Sequence, residues 1–550
     1  MQKSHRLEEF ILETINADVW VIGSGAAGLA AAISARLEGA DVAVVGKSGP
    51  GKGTSTTFAV GAFAAPWGGL TEDEYKDRVL TAGRGLNDND MVDIAAAEIP
   101  ERFQDLIEWG LNTKTAKGVF MALPKDDPGD RIPVWGREII LCLVAKAQEI
   151  GVRFVDNLVV RSISAGNDGV CIRAYGARRK QWVELRGGAV ILAAGGAGAL
   201  FMNHDNPKRM GGDSHTLAYE AGCVMQDLEF VQFYPVAIAE PGKPIFLIEP
   251  DGADLGHLIN ADGENILDKY NITVRPAATH ARDALSQALY EEIEKHDGKV
   301  YIDLTHVTKE AWSVNPISAT KWAFLDAKYN AWNQPLRVAP VAHFSGGGAQ
   351  TDLHGATSVP GLYAAGEASG GMHGANRMGG NALTECLVFG HRAGKAATDF
   401  ANNLGKGANA DAPPPLTETD EPRVDPDAQR AELSKIMWRY GGIRRDADGL
   451  ATGLEKIRAI AASAAQTRGI NEPRRLEKFL ELQLAAAAAD LILQAASRRE
   501  ESRGTHARAD YPGSNDDEWR GHLRVKQQGD GPNWWFDALP EADEARAATP

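Results

Sequence analysis

The chain has 550 residues, 44% of them hydrophobic and 24% charged, a globular composition too long for one ordinary core. Lys and Arg total 58 against 74 Asp and Glu, a formal net charge of −16 without any dense basic run, which excludes nucleic acid as an expected partner. The four cysteines, Cys142, Cys171, Cys223 and Cys386, stand far apart with no C-x-x-C or cluster spacing, so the expectation is reduced thiols in a cytoplasmic protein, with no disulfide framework, iron–sulfur cluster or metal site.

The amino terminus MQKSHRLEEFILETIN carries acids and lacks a long apolar core, which argues against a secretory signal. Nowhere do eighteen or more apolar residues run together, so no direct membrane insertion is expected.

ADVWVIGSGAAGLAAAISARLEGADVAVVGKSG then reads as a buried strand, a glycine turn, an alanine-rich helix ending near Gly39 and a second apolar strand from Asp41 to Val45, which is a βαβ unit. Gly23, Gly25 and Gly28 fit G-x-G-x-x-G at the strand-to-helix turn. There backbone amides and the helix amino terminus can face a pyrophosphate. A ribose-binding acid belongs at the end of the second strand, but the chain reads Val45-Gly46-Lys47; this weighs against NAD and is compatible with a flavin dinucleotide held by other groups.

GGAVILAAGGAG at 187–198 and SVPGLYAAGEASG at 358–370 are further apolar strands running into glycines. Three such strand ends predict one discontinuous dinucleotide domain interrupted by an insertion, from about Phe233 to Ala342, which mixes strands such as KVYIDL with helix such as RDALSQALYEEIEKH. GGMHGANRMGGNALTE at 370–385 sets Arg377 among glycines: permissive backbone for close approach to a ligand, and a guanidinium fork suited to a carboxylate.

Beyond Asn403 come a breaker-rich linker, PPPLTETDEPRVDPD, and two helical stretches at roughly 428–466 and 473–499, with AAAAA at 485–489 read as a close-packed helix face. The ending, with Trp519, Trp534 and Trp535 among polar residues, reads as an extended arm with aromatic anchors. No internal repeat is evident.

The chain resembles the flavoprotein subunit family of succinate dehydrogenase and fumarate reductase, which includes L-aspartate oxidase. The resemblance covers nearly the whole sequence and is carried by VIGSGAAGLAAA, QDLEFVQFYP, RDALSQ, APVAHFSGGG, HGANRMGGNAL and RREESRGTHARADYP, in family order. It implies an α/β fold: a Rossmann-like FAD-binding domain in two parts (1–232 and 343–403), an inserted α+β capping domain (233–342), a linker (404–427), a C-terminal helical domain (428–500) and a C-terminal arm (501–550). It implies FAD, with Gly23, Ser24, Gly25, Ala26, Ala27 and Gly28 at the pyrophosphate turn and Lys47, Ser48, Ser55, Thr56 and Thr57 further along the cofactor. Ala194, Gly195, Asp213, Glu367, Arg377 and Asn381 are also expected to contact it, with Ala382 and Leu383 beside the flavin pyrimidine.

The same resemblance makes Arg377 and His343 the grip on a substrate carboxylate and Arg282 the residue that delivers or removes the substrate proton, with Glu249 as the adjoining acid. Departures from the family pattern are equally specific. An S-H-T motif that bonds FAD covalently reads Ser55-Thr56-Thr57, so the FAD is expected to be non-covalent. Q-F-H-P reads Gln232-Phe233-Tyr234-Pro235, the threonine before the family glutamate reads Ile248, and a relay arginine three positions beyond Glu249 aligns with Gly252. Tyr234 and Ile248 therefore mark an altered substrate pocket.

The expected activity is reversible hydride transfer between flavin N5 and the C=C/C–C bond of a small carboxylic acid. The possible protein partner is an iron–sulfur electron-transfer subunit. The alternatives are an amino-acid oxidase resembling L-aspartate oxidase, a non-catalytic flavin electron carrier, and an NAD-dependent enzyme.

Overall fold

Four consecutive buried residues, Val19–Ile22, cannot form a strand with one wet face. In the computed structural model, which describes residues 13–123, 135–404, 424–466, 472–529 and 531–540, they form the middle of a parallel sheet covered on both sides. Its order is Leu362–Ala364, Ala189–Leu192, Val19–Ile22, Val42–Gly46, Arg153–Asp156. Every neighbouring pair is parallel, so the three apolar strand ends that are hundreds of residues apart in sequence finish side by side.

The helix Ala26–Leu37 crosses the long helix Asn381–Leu404 through small residues. A Cβ added at Gly390 would stand 2.6 Å from the Ala27 carbonyl oxygen, and one at Gly394 2.3 Å from that of Ala31. Close backbone approach fixes the two helix amino termini, at Ala26 and Asn381, toward the same side of the sheet.

The insertion carries its own antiparallel sheet, in the order Phe246–Leu247, Val231–Ile238, Leu336–Ser345, Val300–Asp303, His257–Asn260, with a separate apolar core that includes Ile248, Leu285, Leu289 and Trp312. Its two long strands run straight through the expected boundaries at 233 and 342 and carry the chain into and out of the insert. RDALSQALYEEIEKH becomes the helix Arg282–Lys295.

Two expectations for the carboxyl-terminal part change. The stretch at 428–466 is two helices, Pro426–Tyr440 and Ala447–Gln466, because Gly441-Gly442 breaks it. The ending is a hairpin, Gly521–Gln528 with Gly531–Ala538, which extends a sheet containing Met225–Gln226 and Gly348–Gln350. Its Trp534 lies under the Arg498 guanidinium at 4.5 Å.

The linker expected at 404–427 lies mostly outside the described residues. The helix Pro473–Arg498 is long and apolar enough to cross a membrane by length and composition, yet 78% of its apolar window is buried in the protein, with Ala485, Ala486, Ala488 and Ala489 packed inside.

Candidate active site

A cavity of about 1350 Å³ runs from the parallel-sheet turn to the insert. At its first end Gly23 has φ +110°, and a Cβ there would meet the Ala193 carbonyl oxygen at 2.2 Å, so only glycine allows the turn. Ser24, Gly25, Ala26 and Ala27 line the cavity, and the first turn of a helix leaves amides without intrahelical partners. Gly28 lies off the cavity: a Cβ there would meet the Gly23 carbonyl oxygen at 2.0 Å, so its role is helix-to-strand packing.

In place of an acid after the second strand stands Lys47, which is itself paired with acids from elsewhere in the chain. Lys47 Nζ pairs with Asp213 Oδ2 at 2.5 Å and Glu481 Oε1 at 2.9 Å; burial works against its charge, but Asp213 and Glu481 raise its pKa. Arg209, also on the cavity, donates to Glu481 Oε1 (2.8 Å) and to Glu477, both on the helix Pro473–Arg498.

Toward the other end, Ser55 and Thr56 line the cavity, and Thr56 Oγ1 accepts from the Ala26 amide at 3.1 Å. Thr57 lies off the cavity and donates to the Gly51 carbonyl at 2.8 Å. Ala194, Gly195, Glu367, Ala382 and Leu383 line the cavity as well. Glu367 accepts from the Ser345 amide at 3.0 Å, and burial pushes its carboxyl up to about 8. Asn381 is fully buried behind the wall, where its Oδ1 accepts from Tyr75 and its Nδ2 has no partner.

The glycine turn, the two helix amino termini and the volume of the cavity fit a dinucleotide. Among the described residues, no three or more His, Cys, Asp or Glu gather as a metal site.

Where the insert meets the sheet domain, Arg282, His343, Arg377, Tyr234 and Glu249 all line the same cavity. Arg377 is buried, stacks on the Phe344 ring at 4.6 Å, and donates from Nη2 to Gln232 Oε1 at 3.0 Å while its Nε is left without a partner. Burial, then the charge of Arg282, lowers its pKa to about 10. His343 Nδ1 is held by Asp205 Oδ2 at 2.7 Å, which leaves Nε2 for a ligand. Arg282 sits over the Tyr234 ring at 5.5 Å; desolvation lowers its pKa, while Tyr234 and Asp283 act in the opposite sense.

Tyr234 OH donates to the Ile248 carbonyl at 2.7 Å, and Leu247 and Pro250 line the cavity nearby while Ile248 itself is buried in the insert core. The site expected to hold a second carboxylate thus offers a phenol whose hydrogen is already committed.

Glu249 forms an ion pair with Lys321, which is 3% exposed. Asp205, Gln232 and Lys321 were not anticipated. Gln232 sits inside a quoted motif two residues from Tyr234, but Asp205 and Lys321 contact partners 138 and 72 residues away, so no local pattern marks them.

Comparison with known proteins agrees over nearly the full length. Residues 18–383 match a family model described as an FAD binding domain, and residues 430–538 one described as the fumarate reductase flavoprotein C-terminus. An L-aspartate oxidase of Streptomyces coelicolor is 33% identical, covering 93% of this chain and 92% of its own. A CoM/CoB fumarate reductase chain of Methanothermobacter marburgensis is 31% identical, covering 94% and 98%. The solved structure of Mycobacterium smegmatis Sdh1 in complex with UQ1 superposes with a TM-score of 0.83 at 26% identity, covering 97% of this chain and 98% of that one. Escherichia coli quinol fumarate reductase FrdA gives 0.81 at 25%, covering 96% and 99%. The chain belongs to the succinate dehydrogenase/fumarate reductase flavoprotein family, and it is an FAD-dependent oxidoreductase.

Proposed function

We propose that this flavoenzyme reversibly reduces the C=C bond of a small unsaturated acid gripped by one carboxylate. The observation that carries the reading is the convergence of Arg282, His343 and Arg377 on one cavity. Arg377 presents a desolvated fork and His343 a ring fixed by Asp205, together a bidentate seat for a carboxylate. That grip draws electron density from the conjugated double bond. Arg282 gives a proton to the carbon next to the carboxylate, and desolvation makes that proton easier to release than in water. FAD, when bound, supplies the hydride for the neighbouring carbon.

The far end of the substrate meets Leu247, Pro250 and the back of the Tyr234 phenol, surfaces that favour an apolar or carbonyl-bearing group over a second carboxylate. The FAD is non-covalent in this reading, since hydroxyls replace the imidazole that would bond it. Electrons arrive through a partner protein. The relative named as one subunit of a CoM/CoB fumarate reductase favours a multi-subunit assembly, and the family resemblance makes an iron–sulfur subunit the partner of this reading. The reading sites the chain in the cytoplasm.

The test is a spectral titration of the purified yellow protein with mono- and dicarboxylates, after acid precipitation to confirm that the flavin is released. A flavin band shifted by crotonate-like monoacids more strongly than by fumarate or malonate supports the one-carboxylate grip; the reverse order overturns it. The second reading, an L-aspartate oxidase, draws on the 33% identical relative and predicts hydrogen peroxide on addition of aspartate.

A further inference from the structure

The helix Glu72–Ala82 ends at Gly83, and the chain turns through Arg84 before the helix Asn89–Glu108 begins. Arg84 has φ +57°, a conformation that is costly for most L-residues and easier for glycine, asparagine or aspartate. Among the described residues, seven non-glycines have a positive φ, and five of them are Asn or Asp; Arg84 is the one of the seven that lines the cavity.

The corner is held from behind. Arg503 Nη1 donates to the Arg84 carbonyl (3.2 Å), the Ala375 amide to the Gly83 carbonyl (2.9 Å), and Asn87 Nδ2 to the Met372 carbonyl (2.9 Å). Arg503 is itself fixed by Glu501 at 2.8 Å. Surroundings that over-determine a strained residue point to a use for its side chain.

That side chain stands at the open rim of the cavity. Exposed Thr81 and Arg84 line it from the sheet domain, and Thr279 and Arg282 line it from the insert. Arg282 is carried by the insert: its Nε donates to the Ala278 carbonyl at 3.2 Å, and its guanidinium lies over the Tyr234 ring. The next residue reaches the other side of the rim. Asp283 Oδ2 lies 3.7 Å from Arg84 Nη2, and burial, which raises the Asp283 pKa, is opposed first by Arg84 and then by Arg282. Arg84 is thus the leading charge partner of an acid one residue from the proton-carrying guanidinium. An ion pair this exposed adds little to stability, and for stability alone glycine would suit the corner better. What the arginine supplies is reach across the rim to the start of the helix Arg282–Lys295.

We propose that Arg84 is a positioning residue: by clasping Asp283 across the rim of the cavity it holds the start of the insert's helix, and with it Arg282, against the bound acid. The inference rests on the reduction reading, in which Arg282 delivers the proton.

Arg84→Gly, Arg84→Lys, Asp283→Asn and Arg84→Gly/Asp283→Asn, all carrying FAD, are compared with wild type in melting temperature, hydrogen exchange and reoxidation of the reduced protein by crotonate and fumarate. Arg84→Gly should melt no lower than wild type, because strain at the corner is relieved, yet its kcat should fall about fivefold, the upper worth of an exposed ion pair. Ligand affinity read from the flavin band should not change, since Arg377 and His343 keep their partners. Arg84→Lys should recover most of the rate, and adding Arg84→Gly to Asp283→Asn should lower kcat no further. Amides 281–286 should exchange faster in Arg84→Gly and Asp283→Asn than in wild type or Arg84→Lys. An unchanged kcat in Arg84→Gly, a further loss in the double variant, or a lower melting temperature with unchanged exchange at 281–286 overturns the clasp. If neither acid oxidises the reduced wild-type protein, the reduction reading fails on its own. The exchange data then still decide whether Arg84 holds the helix: faster exchange in Arg84→Gly upholds the clasp and unchanged exchange overturns it.

Discussion

In the proposed reaction Tyr234 faces the far end of the substrate, but its proton is spent on the Ile248 carbonyl and burial raises its pKa beyond any physiological range. The proposed reaction therefore selects at that end by shape and by exclusion of charge. At the reacting end, Arg282 is the one cavity-lining arginine of the insert's helix Arg282–Lys295, and Arg282→Ala is expected to lower turnover by about 10²-fold to 10⁴-fold while flavin stays bound, since the glycine turn belongs to the sheet domain and Arg282 to the insert. Reoxidation kinetics and the visible spectrum of the variant check both halves. Asp205→Ala should weaken substrate binding, because His343 loses the partner that fixes its ring, and the same titration as for wild type reads the change. Glu367 yields a pH prediction. Burial raises its carboxyl from 4.5 to about 8, so the folded protein holds a proton that the unfolded chain has released. Stability from this group is full below about 4.5 and is lost as pH rises through about 8. The flavin-free Glu367→Gln protein should accordingly melt with a flatter dependence on pH across that window than the flavin-free wild type.

The helix pair Ala26–Leu37 and Asn381–Leu404 carries the geometry of the site, because both amino termini face the cavity only if the helices nearly touch. Gly394→Ala tests this contact. Helix propensity alone would favour alanine by about 1 kcal/mol. A methyl 2.3 Å from the Ala31 carbonyl oxygen has backbone to displace, and overpacking of this kind costs about 1–3 kcal/mol. The apparent melting temperature should fall, whereas a rise would mean that the helices can separate freely. Elements of this sort were legible in the sequence: the glycine turn, the three apolar strand ends and the alanine face at 485–489 are local patterns, and each is found where it was expected. The hairpin Gly521–Gln528 with Gly531–Ala538 was not recognised, because its first strand is rich in polar residues and pairs with Met225–Gln226 of a distant segment. Lys321 escaped for a related reason: its meaning depends on a partner 72 residues away.

At the scale of the whole molecule, the dinucleotide cavity depends on a helix far downstream of the sheet domain. Lys47 and Arg209 stand on the cavity, and both are neutralised by Glu481 of the helix Pro473–Arg498, with Asp213 and Glu477 as second partners. Glu481 supplies its charge from behind, as it does not line the cavity. Removing it leaves Lys47, whose side chain is largely covered, and the more exposed Arg209 each short of one carboxylate, a class of change whose cost falls mainly on the buried group left unpaired. Because Asp213 and Glu477 remain, the loss should be a fraction of that for a fully broken buried pair, about 1.4 kcal/mol or tenfold in affinity. Glu481→Ala is thus expected to bind FAD about tenfold more weakly, measured by flavin fluorescence on dilution, with helix content unchanged. Arg209→Ala should weaken binding less, since Lys47 then keeps both of its carboxylates. An affinity unchanged in Glu481→Ala would separate the helical unit from cofactor retention and leave its long helix to packing alone. A loss matching the prediction would make the downstream helix part of the cofactor site by charge, although no side chain of it enters the cavity.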